Sequence, residues 1–119
     1  ISGTWTQIGD DIDGEASWDF SGCSVSLSST GNIVAIGAFG NDGNAGNRSS
    51  SGHVRIYQNI NETWVQMGQD IDGEATYDYS GRSASLNSDG NVVAIGAEVN
   101  DGVMGINSGH VRIYEFPSE

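Results

Sequence analysis

Apolar and polar positions alternate in short stretches along this chain, and the stretches come in two matching sets. In residues 23–28, Val25 and Leu27 fall on one side, with Ser24, Ser26 and Ser28 on the other. A period of two is the mark of a half-buried strand. The pattern returns in residues 82–87. Ile33–Ala38 and Val92–Ala97 are continuous apolar runs that open on β-branched residues and close on Gly-Ala. Such runs predict strands buried on both faces. Residues 53–58 and 110–115 alternate again, Val54 and Ile56 against His53, Arg55 and Tyr57. A fourth signal, in residues 4–8 and 63–67, alternates Trp with Gln. Between the first and second signals lie Ser29-Thr30-Gly31-Asn32 and Ser88-Asp89-Gly90-Asn91. Gly and Asn tolerate positive φ, so both predict tight hairpin turns. Longer Gly/Asn-rich connections follow at 41–51 and 100–108. No stretch predicts a helix, and the fold class is all-β.

The two sets are copies of one unit. Residues 5–43 align with 64–102 without a gap, and 26 of the 39 positions are identical. After a two-residue deletion, residues 51–57 and 108–114 share the heptapeptide SGHVRIY. Four short antiparallel strands recurring at a fixed period predict two four-stranded propeller blades, part of a larger or oligomeric propeller or repeat array. Residues 1–119 then form one propeller segment, with repeat one at about 5–62 and repeat two at about 64–116. A blade is apolar on both faces, so two blades cannot cover themselves. If the strand at 23–28 is innermost, residues 4–8 are an outermost strand without a blade, and the last blade has three strands. Residues 4–8 are therefore expected to add, antiparallel, beside residues 110–115 of another copy or of a flanking stretch of a longer chain.

Composition narrows the function classes. Sixteen acidic residues against four arginines and no lysine give a net charge of −12. Phosphate binding needs clustered Lys/Arg, which excludes a nucleic-acid reader and disfavours an anionic membrane surface. The longest apolar runs are far short of a membrane helix. Eighteen glycines and one proline oppose long helices. Cys23 is the single cysteine, aligned with Arg82, and reads as an incidental buried or half-buried thiol. Ile1 opens the chain without Met or a signal peptide, as expected of a processed product or an excised segment.

The candidate chemistry is acidic. Asp11, Asp13 and Glu15 recur as Asp70, Asp72 and Glu74, alternating around a Gly turn. Hard, oxygen-seeking cations take such carboxylates, so calcium is the candidate ion. Equally, these residues can be turn formers on a solvated rim, or one carboxylate per unit can pair with Arg55 or Arg112. His53 and His110 share a strand face with those arginines, and structural hydrogen bonding between blades is the expected role for all four. Trp5 and Trp64 occupy one repeat position, where packing competes with stacking on a sugar. Asn47 and Asn61 open glycosylation sequons in expected loops. No nucleophile–base pair, phosphate loop or zinc spacing is present. The variable loops, with Asn41, Asp42 and Arg48 in one and Asn100, Asp101, Val103, Met104 and Ile106 in the other, are the expected partner contacts. The apolar trio Val103, Met104 and Ile106 is expected to be covered by something.

The units resemble FG-GAP-type repeats, the blades of integrin-α-like β-propellers. The resemblance rests on Asp19-Phe20-Ser21-Gly22-Cys23-Ser24-Val25, Val34-Ala35-Ile36-Gly37-Ala38 and the heptapeptide, and on their second copies. Ser21-Gly22 and Ser80-Gly81 stand where the family has Phe-Gly. A four-residue turn stands where the family places its calcium loop. The resemblance implies a non-catalytic extracellular or cell-surface module for binding, adhesion or structure, with a protein or glycan ligand. Alternatives are a lectin assembled from two-bladed protomers and an appendage domain of a secreted enzyme.

Overall fold

The computed structural model describes residues 3–42, 50–98, 100 and 108–117. They form eight strands and, among the described residues, no helix: β1 (Ser24–Leu27), β2 (Ile33–Ala38), β3 (His53–Ile60), β4 (Thr63–Gln66), β5 (Ile71–Asp72), β6 (Ser83–Leu86), β7 (Val92–Ala97) and β8 (His110–Glu115). Two antiparallel sheets result. The first has the order β1-β2-β3-β4 with β5 also on β3, and the second has the order β6-β7-β8. The hairpin turns form at the expected places. Gly31 and Gly90 take φ values of +78° and +77°, a left-handed conformation that suits glycine. The Gly31 and Gly90 amides donate to the Ser28 and Asn87 carbonyls at 3.0 and 3.1 Å.

The fourth strand signal behaves differently in its two copies. Residues 63–67 give β4, paired with the outer half of β3 from Ile60↔Thr63 to Tyr57↔Gln66. The chain then breaks at Gly68, with φ +71°, and rejoins β3 as β5 through His53↔Asp72 and Val54↔Ile71. The short β5 went unpredicted, because two residues carry no periodicity. Residues 4–8 form no strand, and Trp5 is wholly exposed. The reason is topological: β4 occupies the outer edge of sheet one, and residues 4–8 do not reach β8 of sheet two.

The sheets stack with their inner strands closest, β6 lying against β1 and β2. The core between them is Ala35, Val54, Val93 and Ile95, with Ile56, Ile71, Ala84, Leu86 and Tyr114 against it. Polar stitches join the inner strands. Ser24 donates its hydroxyl to the Gly81 carbonyl at 2.8 Å, and the Leu86 amide donates to the Ser26 hydroxyl at 3.0 Å. Gly37 allows this approach, since a Cβ there would collide with the Gly81 carbonyl. Toward the outer strands the sheets part around a cleft of about 270 Å³, lined by residues that include Met67, Ile71, Tyr114 and Phe116.

Neither sheet has both faces covered throughout. Val54 and Val111 hold the same place in the shared heptapeptide, yet Val54 is 0% exposed and Val111 67%. Ile113, the counterpart of Ile56, is 69% exposed. On the far side of sheet one, Val25 and Leu27 are likewise open to solvent. The expectation of strands buried on both faces holds for Ala35–Ala38 in β2, whereas β7 alternates between buried and half-buried, because sheet two has a neighbour on one side. Cys23 is exposed rather than buried, its thiol 3.4 Å from the Gly37 and Gly81 carbonyls at the rim of the junction.

Candidate functional site

The acidic loop before β1, strand β3 and the β4–β5 break converge on one polar cluster. β3 presents His53 and Arg55, two residues apart and so on one face. Arg55 Nη2 donates to Glu15 Oε2 at 2.6 Å, and Nε donates to Asp70 Oδ1 at 2.9 Å. Gln66 adds a hydrogen bond to Asp70 Oδ1 at 2.7 Å. On the other side of the same carboxylates lies His53, 3% exposed. Its Nδ1 is 3.7 Å from Asp70 Oδ2, 3.9 Å from Glu15 Oε1 and 4.0 Å from Asp72 Oδ1. Those distances exceed a hydrogen bond, and Nδ1 has no hydrogen-bond partner among the described residues. Glu15, His53 and Asp70 can each offer one ligand atom to a shared metal ion.

The charges in this cluster bias one another. Burial lowers the His53 pKa below its usual 6.5, and Arg55 acts in the same direction, outweighing Asp70, Glu15 and Asp72. The imidazole is thus biased toward its neutral form. Burial would raise the Asp70 pKa, but hydrogen bonds from Arg55 and Gln66 outweigh it and hold the carboxyl below 3.8. Arg55 is held fully charged, with the bond to Asp70 overcoming the cost of burial.

A second tier fixes the acidic loop. Asn41 is 4% exposed, and its amide donates to Glu15 Oε1 at 2.8 Å and to the buried Asp19 Oδ2 at 2.9 Å. Unit two repeats this through Asn100, which donates to Glu74 Oε1 at 3.0 Å and Asp78 Oδ2 at 2.7 Å. Asn41 and Asn100 therefore brace the units from inside, although their loops suggested partner contacts. Asp42 is exposed and accepts the Ser50 amide at 3.0 Å.

In unit two the cluster is half built. His110 Nδ1 lies 3.5 Å from Glu74 Oε1, and Arg112 Nη2 lies 3.9 Å from Glu74 Oε2. The repeat counterparts of Asp70 and Asp72 are Asp11 and Asp13, which are exposed and sit apart in the opening segment. Asp11 accepts a hydrogen bond from Gln7 at 2.9 Å, as Asp70 does from Gln66. The structure thus brings Glu15, Asp70 and Asp72 together and leaves Asp11, Asp13 and Glu74 outside that group. Trp64 donates from its indole to the Ile8 carbonyl at 2.9 Å. Asn61 lies in an exposed turn with φ +53°. Asn47, Arg48, Asp101, Val103, Met104 and Ile106 lie outside the described residues.

One surface feature escaped sequence reasoning. Trp18, Phe20, Phe39, Tyr79 and Tyr77 form a row of neighbouring rings, with centroid spacings of 6.1, 5.1, 5.7 and 6.4 Å. Arg82 caps Phe39 at 5.3 Å. Trp18, Phe20, Tyr77 and Tyr79 all take positive φ, around the buried Asp19 and Asp78. That backbone turns Trp18, Phe20 and Tyr77 outward, and Trp18 is 80% exposed. The available signal was Trp-Asp-Phe recurring as Tyr-Asp-Tyr at the repeat offset. A scan against protein-family models finds no match to this chain, and a search of curated proteins finds none either.

Proposed function

We propose that the chain is a non-catalytic structural and binding module whose two sheets are successive propeller-type blades, and that copies join head to tail. The observation that carries this reading is the contrast within the shared heptapeptide, where Val54 is buried by a neighbouring sheet and Val111 lies open. Sheet one meets sheet two with the Val54 side of its strands. The corresponding side of sheet two is open at Val111 and Ile113, and the opposite side of sheet one is open at Val25 and Leu27. An uncovered pair of unlike faces on one molecule is a heterologous interface. The edge of β8, unpaired among the described residues, adds a second demand, and residues 4–8 are the unused copy of β4. Placed by the β3–β4 register, Thr6 falls opposite Glu115 and Gln7 opposite Tyr114. Asp11 and Asp13 then arrive beside His110 and Arg112, as Asp70 and Asp72 do beside His53 and Arg55. Inner strands in contact and outer strands parted are also what blades around an axis require. The acidic surface and the exposed Asn61 sequon support an extracellular or cell-surface setting.

Cross-linking tests the join. A Thr6→Cys, Glu115→Cys chain on a Cys23→Ser background is expected to form disulfides between copies, giving a ladder of multimers under oxidation. Disulfides confined within single chains, or none, would refute the register. A second reading, a glycan-binding lectin, is favoured by the exposed aromatic row, since ring faces stack on sugars. A glycan array decides it: binding lost in Trp18→Ala supports the lectin, and an empty array leaves the scaffold.

A further inference from the structure

We propose that Glu15, His53 and Asp70 form a binding site for a zinc-type transition-metal dication, placed at the join between the acidic loop, β3 and the β4–β5 break. Two independent observations carry this. The first is geometric: one atom from each residue lies within 4.8 Å of the others. The second is His53 itself, whose side chain is 4% exposed and whose Nδ1 faces three carboxylates with no hydrogen-bond partner among the described residues. A buried ring nitrogen facing carboxylate oxygens beyond hydrogen-bond reach leaves a gap that a cation held by all three residues would fill.

The donor set selects the kind of cation. An imidazole nitrogen with carboxylate oxygens suits zinc-type ions, whereas calcium takes six to eight oxygens. Zinc bonds of about 2.0–2.2 Å at tetrahedral angles put neighbouring ligand atoms roughly 3.3–3.6 Å apart. The observed 3.7 and 3.9 Å from Nδ1 to Asp70 and Glu15 need to shrink by only a few tenths of an ångström. Charge agrees as well. Among the described residues, Glu15 and Asp70 set two negative charges against the guanidinium of Arg55 that bridges them, leaving negative charge for a cation to offset. The ligands are also held from behind: Arg55 takes the outer oxygens of Glu15 and Asp70, and Asn41 braces Glu15 Oε1. Such outer partners orient ligands and raise metal affinity. The ion would fasten the loop before β1 to the strands that follow it. The site is complete within one chain and does not require assembly; the half-built cluster at His110 would need Asp11 of a second copy.

The experiment is calorimetric titration of Zn(II) into chelator-stripped chain at a concentration where scattering reports single copies, with Co(II) absorption as a second readout. One ion per chain is expected, with visible ligand-field bands for Co(II) and a raised melting temperature for Zn(II). His53→Gln and Glu15→Gln should each weaken binding by roughly tenfold or more, while His110→Gln leaves it intact. Should His53→Gln fail to fold, the half-exposed Glu15 carries the test alone. Absence of binding heat and of a melting shift, or unchanged affinity in Glu15→Gln, would overturn the site. Either result is read on single copies, so it stands apart from the fate of the head-to-tail reading.

Discussion

Truncating the same valine in the two copies of one heptapeptide isolates the effect of a neighbouring sheet. Val54→Ala and Val111→Ala change identical local sequence, SGHVRIY, on equivalent strands. Val54 is 0% exposed and sits in the core with Ala35, Val93 and Ile95. Removing two methyl groups there forfeits about 1.6 kcal/mol of burial at 0.8 kcal/mol per carbon. A residual cavity raises the cost to about 2–3 kcal/mol. Val111 retains about a third of its burial, so its truncation should cost about 0.5 kcal/mol in a single copy. At roughly 4 °C per kcal/mol for a domain of this size, the melting shifts are about 8–12 °C and 2 °C. Urea and thermal unfolding, run at a concentration where light scattering reports single copies, measure both. At concentrations where copies associate, the Val111→Ala penalty should grow toward that of Val54→Ala. Equal penalties in single copies, or a Val54→Ala cost below about 0.5 kcal/mol, would refute the account of the uncovered face.

Three further outcomes are expected. Asn41→Ala removes two charge-assisted donors and leaves Asp19 buried without them; unfolding should become easier by about 1.5–3 kcal/mol, with Asn100→Ala close behind in the same urea titration. Gly37→Ala drives a Cβ into the Gly81 carbonyl, so circular dichroism should report a chain that melts far lower or does not fold. In chelator, His53 and Asp70 both have folded pKa values below their unfolded ones. The unfolded chain therefore binds the extra protons, and stability should fall as pH drops below 6.5 and again below 3.8; His53→Gln should flatten the first step of a melting-temperature profile.

Much of the fold is legible in the sequence because its strands advertise themselves locally. The runs at Ile33–Ala38 and Val92–Ala97 and the Gly-Asn turns before them are each sufficient to place β2, β7 and their hairpins. What local pattern cannot convey is the presence of a neighbour. Residues 4–8 and 63–67 read alike, yet the second set pairs with β3 while the first forms no strand among the described residues. The polar cluster is partly legible for the same reason. Arg55 beside His53 on one strand face calls for carboxylates, but Glu15 lies 40 residues from Arg55 and Asp70 lies 15 away. Only the meeting of three segments selects these two from sixteen acidic residues. The aromatic row was hidden because it depends on positive φ at Trp18, Phe20, Tyr77 and Tyr79, which bulky residues rarely adopt.

Head-to-tail joining is tested most directly by the mass of the chain in solution. Covering even ~500 Å² of apolar face per junction is worth about 12 kcal/mol gross, before association costs. Identical joins either close as a ring or run on as a filament. Size-exclusion chromatography with multi-angle light scattering should therefore give masses at whole multiples of 12.5 kDa, rising with concentration to a closed ring or an open filament. A well-folded species of 12.5 kDa at every concentration would contradict the account.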